Sequence, residues 1–352
     1  MRAARFDRYG PAEVIRIEER PVSEVGDDEV LVRVDASAVG VADAVSRSGT
    51  PWFARLFFGL RRPKYPRLGT EFAGMVERVG ADVTRFAPGD RVFGAAEVGA
   101  GATAEYVVVG EHAAVAHAPE GLDAAHAVAT VDGFLTALPF LRDAGEVRPG
   151  QSVLVNGASG TVGSAAVQLA KHLGASVTAV TSGPNAELVR SLGADRVIDY
   201  TREDFTSERE AYDVIFDAVG KRSFGACRRA LTAHGFYLTT VPTAAIMLQA
   251  PWTRLFRGGR RAAIAFTGLR DSRTKGVELE QLAALVESGA FVPVVDRILP
   301  LDELVAAHRR VEGGHKVGSV VIAITDAARP ADASAAVAAT ADDSLEANGA
   351  PA

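Results

Sequence analysis

One cysteine, Cys227, stands in 352 residues. A lone cysteine closes no intrachain disulfide, rules out a four-cysteine structural zinc site, and fits a reducing compartment, read here as cytoplasmic. The seven histidines, His112, His117, His126, His172, His234, His308 and His315, fall at no spacing used by a metal motif, so no metal is expected. Aromatic residues make up only 7%, and no apolar run approaches the roughly 20 residues that cross a bilayer. The opening stretch, Met1 to Gly10, carries Arg2, Arg5, Asp7 and Arg8 with no apolar core behind them, which reads as no secretion signal. Positive charge is not in excess either: 38 Lys and Arg face 44 Asp and Glu, for a net charge of -6. Nucleic acid is therefore not an expected partner. No internal repeat is visible.

What is present is the composition of an α/β protein too long for a single growing core, with 48% hydrophobic residues and 35 glycines. The first third reads as short strands between turns: Val30 to Val34, Gly74 to Val79, Arg91 to Phe93 and Glu105 to Val109. From Ala124 the texture changes to helix and strand in alternation, the pattern of a doubly wound parallel sheet. Its expected strands are Ser152 to Val155, Ser176 to Val180, Arg196 to Ile198, Asp213 to Phe216, Phe236 to Thr240 and Ala263 to Phe266, with helices clearest at Val162 to Leu173 and Asn185 to Leu192. A helix around Glu278 to Ser288, the segment Arg297 to Leu299, the helix Leu301 to Val311 and the strand Val317 to Ile324 read as a return to the first lobe. The expected division is residues 1–123, completed by 293–325, for the first lobe, and 124–292 for the second. Residues 326–352, rich in Ala, Asp, Ser and Pro without an aromatic, read as a disordered tail.

The strongest chemical signal runs from Ser152 through Asn156, Gly157, Ala158, Ser159, Gly160, Thr161, Val162 and Gly163: a buried strand, a glycine-rich turn, then an apolar-periodic helix. Small residues let the backbone approach a pyrophosphate, and the first helical N–H groups stabilise its charge. Ala158 replaces the first glycine of the usual dinucleotide fingerprint, and the flanking strand and helix restore the signal. An NAD site places a carboxylate after the second strand to take the ribose hydroxyls. Here that strand ends in Thr181, Ser182 and Gly183, which favours NADPH over NADH.

With Arg47-Ser48-Gly49, Leu68-Gly69-Thr70-Glu71-Phe72-Ala73-Gly74, Pro88-Gly89-Asp90-Arg91-Val92, Leu192-Gly193-Ala194-Asp195 and Asp199-Tyr200 added in order, the chain resembles the medium-chain dehydrogenase/reductases. The likeness is to their zinc-free quinone oxidoreductase branch, over roughly residues 1–324. It implies an α/β fold made of a GroES-like β-rich catalytic domain and a Rossmann domain, with the cofactor in the cleft between them, and a homodimer. It also implies cofactor contacts at Thr136, near the nicotinamide, at the turn Asp217-Ala218-Val219-Gly220, and at Lys316. Asp217 as a helix cap, Lys316 as a solvated charge and Thr136 as a packing residue are the alternative readings. In the zinc alcohol dehydrogenases of this fold a Cys and a His hold catalytic zinc where this chain has Gly40 and Thr70, and neither of these can ligate it.

Without a Lewis acid, reduction is the natural direction, with hydride going to a quinone or to the β-carbon of an activated alkene. The expected substrate is a small apolar carbonyl or quinone. The Asn and Tyr that many members of the branch carry correspond to Gly40 and Val45 here, so no proton donor is named. Asp43 and Arg47 are the remaining catalytic candidates, with a turn-stabilising carboxylate as the other reading of Asp43. Two alternatives stand beside the reductase: an NAD(P)-dependent alcohol or aldehyde dehydrogenase of the same fold, and a non-catalytic NADP-binding redox sensor. Trp52 and Trp252 lie in basic, apolar stretches, Trp52 to Arg67 and Trp252 to Arg261. These are expected to line a mouth for an apolar acceptor or make weak membrane contact, or else to form a lid packed on the core.

Overall fold

Val153, Leu154 and Val155 are fully buried because parallel neighbours flank their strand on both sides and helices cover both faces. That strand, Ser152–Asn156, is central in a six-stranded sheet, seen in a computed structural model that describes residues 1–255 and 259–328. The order across the sheet is Arg196–Asp199, Ser176–Thr181, Ser152–Asn156, Tyr212–Asp217, Leu231–Thr239 and Arg261–Ala263, all parallel. Numbered along the chain this is 3-2-1-4-5-6, the doubly wound order whose switch point lies beside the first strand and opens a crevice at the strands' carboxyl ends. The helices Thr161–His172 and Ala186–Ser191 make the first two crossovers.

A second sheet of seven strands grows around the 11-residue strand Glu29–Val39. On one side this strand pairs with Glu71–Val79. On the other it changes partner part-way: Glu29 to Arg33 face Tyr106–Gly110, and Ala36 to Val39 face Ser319–Ala323. A segment 290 residues downstream of the strand's start thus completes the sheet, with Val295–Pro300 parallel beside it. Arg91–Ala95 and Ala114–His117 extend the other edge.

The helix Ala124–Pro139, continued by a wider turn at Phe140–Ala144, lies between the sheets. At 21 residues it is long and apolar enough to cross a membrane, a length the sequence reading overlooked, and most of it is buried inside the protein. Its apolarity is that of a core element. Gly133 lets it approach the next helix closely: a Cβ there would lie 2.6 Å from the carbonyl oxygen of Thr161.

Two expectations need correction. The last strand of the parallel sheet is Arg261–Ala263, so Ile264 to Phe266 lie beyond it; only Arg261 to Ala263 find partners, in Phe236 to Leu238. At the start of the expected tail, Asp326–Ala328 form a helical turn, and Ala328 is buried in the core. The rest of that segment, 329–352, is outside the described residues.

Candidate functional site

The strand Ser152–Asn156 ends at Gly157, whose φ of 81° turns the chain so that Gly157 and Ala158 both donate to Val180 O. Gly163 has to be glycine, since a Cβ would lie 2.0 Å from Gly157 O. Gly160 caps the helix Thr161–His172 without a side-chain hydrogen bond, which leaves the first helical N–H groups to a ligand. A Cβ on Gly160 would meet only Gly157 O, at 3.6 Å, so the cradle is open on its outer side. Open space, unsatisfied donors and the helix dipole fit a pyrophosphate.

Beside the loop, Ser159 Oγ accepts from Thr181 Oγ1 at 2.9 Å and from Asn185 Nδ2 at 3.3 Å, and Asn185 also donates to Ser182 Oγ at 3.2 Å. The structure therefore brings Ser159, Thr181 and Ser182 together and adds Asn185, which the sequence reading missed. It also brings in a carboxylate. Asp199 Oδ2 lies 2.9 Å from where a Cβ on Gly183 would stand, so the corner after the second strand is not free of acid as expected. That carboxylate is held below its ordinary range by the N–H and hydroxyl of Thr201, both of which donate to it.

Asp217 is fully buried and heavily used. Its Oδ1 accepts from Asn156 Nδ2 and from the N–H groups of Val219 and Gly220, and its Oδ2 from Tyr237 OH and the N–H of Arg222. Asp217 shapes the turn, and Gly220, at φ 73°, ends it. With the Asp217 carboxylate so engaged, the backbone of that turn and the exposed Val219 side chain, which lies against Gly157, are left to face a ligand.

Lys316 Nζ donates to Thr161 Oγ1 and to Gly318 O, while Gly318 N donates to Ser159 O at 2.8 Å. The segment leading into the last strand thus lies directly on the cofactor loop. Burial lowers the Lys316 pKa, and Asp132 opposes the shift. One turn along the long helix from Asp132, Thr136 Oγ1 donates to Asp132 Oδ1 at 3.4 Å. Asp132 is the only acid in Ala124–Pro139, a signal in the sequence that went unused.

The two catalytic candidates separate. Arg47 is fully buried, bonded to Gly10 O and paired with Glu312, so it braces the helix Val41–Ser48 against Leu304–Glu312. Asp43 accepts from Gly40 N at 2.9 Å at the start of Val41–Ser48 and faces two further carboxyls, Glu71 and Asp132. Burial raises the Asp43 pKa to about 6, backbone donation at Gly40 resists this, and the charge of Asp132 adds to it.

Two family descriptions match the chain: the alcohol dehydrogenase GroES-like domain over residues 26–120 and the zinc-binding dehydrogenase over residues 192–322. The chain is 30% identical to the chloroplastic quinone-oxidoreductase QR1 of Triphysaria versicolor, over 92% of this chain and 98% of that one. It is 33% identical to the chloroplastic NADPH-dependent alkenal/one oxidoreductase of Arabidopsis thaliana, over 92% of this chain and 79% of the relative. The quinone oxidoreductase structure from Coxiella burnetii superposes with a TM-score of 0.81 at 29% identity, covering 92% and 99% of the two chains. The chain belongs to the medium-chain dehydrogenase/reductase superfamily, in its quinone oxidoreductase-like branch.

As a member of that superfamily it is an NAD(P)H-dependent oxidoreductase. Among the described residues no group of three His, Cys, Asp or Glu is arranged to hold a metal. Both tryptophans are exposed, and part of the stretch Trp252 to Arg261, residues 256–258, lies outside the described residues. Trp52 is joined by Leu56, Phe57 and Leu60, and Trp252 by Leu248 and Leu255. That exposure removes the reading of a lid packed on the core.

Proposed function

We propose that this dehydrogenase/reductase uses NADPH to reduce quinones or α,β-unsaturated carbonyls, and does so without zinc. The observation that carries the reading is the cofactor cradle, an uncapped helix N-terminus with Lys316 beside it, opening where Gly40 and Thr70 offer no metal ligand. The names of the Triphysaria and Arabidopsis relatives support the substrate class.

In this reading the backbone from Ala158 to Gly163 holds the pyrophosphate, Ser159, Thr181, Ser182 and Asn185 offer hydroxyl and amide groups to a 2′-phosphate, and Asp199 stays committed to Thr201. Thr136 and the backbone of Gly220 border the nicotinamide half, and Lys316 supplies the positive charge. When bound, the cofactor supplies a hydride. The protein's part is to orient the acceptor and provide a proton, because a quinone or enone delocalises the incoming charge itself.

Oxidation of NADPH and of NADH at matched concentration, with a panel of quinones and enones and on metal-analysed protein, tests the reading. Turnover with NADPH well above NADH and no bound zinc is the expected result. Oxidation of simple alcohols by zinc-loaded protein would instead establish the alcohol dehydrogenase, and tight NADPH binding with no turnover the redox sensor. A homodimer, weak membrane contact through Trp52 and Trp252, and a cytoplasmic location belong to the same proposal. Sedimentation velocity and co-sedimentation with anionic vesicles at low salt check the first two.

A further inference from the structure

Hydride transfer to a quinone or enone leaves a negative charge on the acceptor, and the chain lacks the tyrosine that could discharge it at Val45. The structure supplies another candidate. Two carboxyls, Asp43 from Val41–Ser48 and Asp132 from Ala124–Pro139, meet at Gly40, and a third, Glu71 from Glu71–Val79, lies close enough to feel both charges. A Cβ on Gly40 would stand 3.6 Å from Asp43 Oδ2 and 3.8 Å from Asp132 Oδ2, so these two carboxyl oxygens flank the same point of the backbone.

Asp43 and Glu71 are more than nine-tenths buried, whereas Asp132 and its neighbour Thr136 are half-buried. Glu71 Oε2 is buried with no hydrogen-bond partner, while its carboxyl feels the charges of Asp132 and Asp43. An ionised carboxylate oxygen in that position carries a full desolvation cost, and a protonated one does not. The cations facing the cluster are Lys316, opposite Asp132 and bonded to Thr161 and Gly318, and Lys275 from Ser272–Glu287, whose charge reaches Glu71. Neither has a hydrogen bond to a carboxyl of the cluster among the described residues. Burial and then the charges of Asp132 and Asp43 push Glu71 well above the usual carboxylate range, and burial raises Asp132 against the opposing pull of Lys316 and Thr136.

We propose that Asp43, Glu71 and Asp132 share protons at neutral pH and that Asp132, the least buried of the three, hands one to the reduced acceptor. The inference rests on the reductase reading above. The balance is simple. The cofactor gives up a hydride and is oxidised, and the acceptor gains the electron pair and a negative charge. The O–H bond of Asp132 then breaks, and its proton goes to the acceptor's oxygen or α-carbon. The resulting carboxylate is relieved by the proton held on Glu71 or Asp43, and water reloads the group through Asp132. Lys316, next to Asp132, stabilises the carboxylate at that moment.

The test has two arms on the full chain. Infrared spectroscopy at pH 7 should show a protonated-carboxyl C=O band that shifts in D2O and is lost or altered in Glu71→Gln and Asp132→Asn, both close in shape to the native residues. No such band in the wild type overturns the shared proton, whatever the enzyme's activity. In steady-state assays with an enone, Asp132→Asn should lower kcat about 100-fold, within the usual range for a general acid, with the KM of the acceptor little changed and the alkaline fall of kcat abolished. Asp132→Glu should recover part of the loss. An Asp132→Asn enzyme with native kcat and native pH profile would refute the donor role. A wild-type chain idle on every acceptor would refute the reductase reading, and the infrared band would still decide whether the proton is held.

Discussion

Removing the charge of Glu312 should cost more stability than removing the whole charged head of Arg47. The guanidinium of Arg47 is fully buried, with Gly10 O and Glu312 as its partners and Nε unpartnered. Truncating one member of such a pair ordinarily costs about 3–5 kcal/mol, because the other charge stays buried and unpaired, whereas an apolar replacement of similar volume is often close to neutral. The Glu312 side chain is 38% exposed, so water takes up part of the deficit, and about 2–3 kcal/mol is the reasonable figure for Glu312→Gln. Arg47→Met should cost roughly 1 kcal/mol or less, and it also relieves His308, whose pKa burial and then the Arg47 charge hold down at about 3. Urea unfolding followed by circular dichroism should show the Glu312→Gln midpoint lowered by about 1 M and Arg47→Met much less affected. Arg47→Met with Glu312→Gln should resemble Arg47→Met alone. If Arg47→Met proves the more damaging single change, the reasoning fails, and Arg47 is doing something other than bracing two helices. Turnover per folded Glu312→Gln molecule should be native.

Gly163→Ala places a Cβ against Gly157 O, backbone to backbone, and should weaken NADPH binding more than about tenfold while the unfolding transition is retained; isothermal titration decides it, and native affinity would mean the loop opens at no cost. His308, buried with Nδ1 unpartnered, stays neutral in the folded chain and takes up a proton on unfolding. Its depressed pKa therefore withdraws stability as pH falls below the ordinary histidine value of about 6.5, by up to roughly 1.4 kcal/mol per pH unit, until the folded pKa of about 3 is reached. His308→Leu should flatten that acid limb in urea titrations at pH 4 to 7, and an unchanged slope would refute the assignment. Burial raises the Cys227 thiol pKa to about 12. Native protein should leave Cys227 unlabelled by a disulfide reagent under conditions where unfolded protein reacts at once.

The parallel sheet was legible because its strands are buried on both faces and read as unbroken apolar runs: Val153 to Val155 and Val214 to Phe216 need no partner information to be recognised. The cofactor loop was legible for a related reason, since strand, glycine turn and helix are contiguous. What failed depends on contacts that sequence order hides. The corner after Thr181 looked free of acid because Asp199 arrives from the next strand, where pairing in register sets Asp199 opposite Thr181. Trp252 was read as part of a basic stretch, yet it belongs to the helix Ala244–Leu255, which carries Pro251 in its interior against the usual rule. Arg47 reads from the sequence as a catalytic candidate, and its partner in the fold, Glu312, lies 265 residues away. The three carboxyls show the limit most clearly. Asp43, Glu71 and Asp132 lie in three separate elements, each with an innocent local reading as a cap, a motif residue or a stray acid. Their chemistry exists only because the fold brings Asp43 and Asp132 to one glycine and sets Glu71 within reach of their charges. The single local hint was Asp132 itself, a lone charge in an apolar helix, and a residue that breaks its element's pattern without an evident structural return is where a functional search should begin.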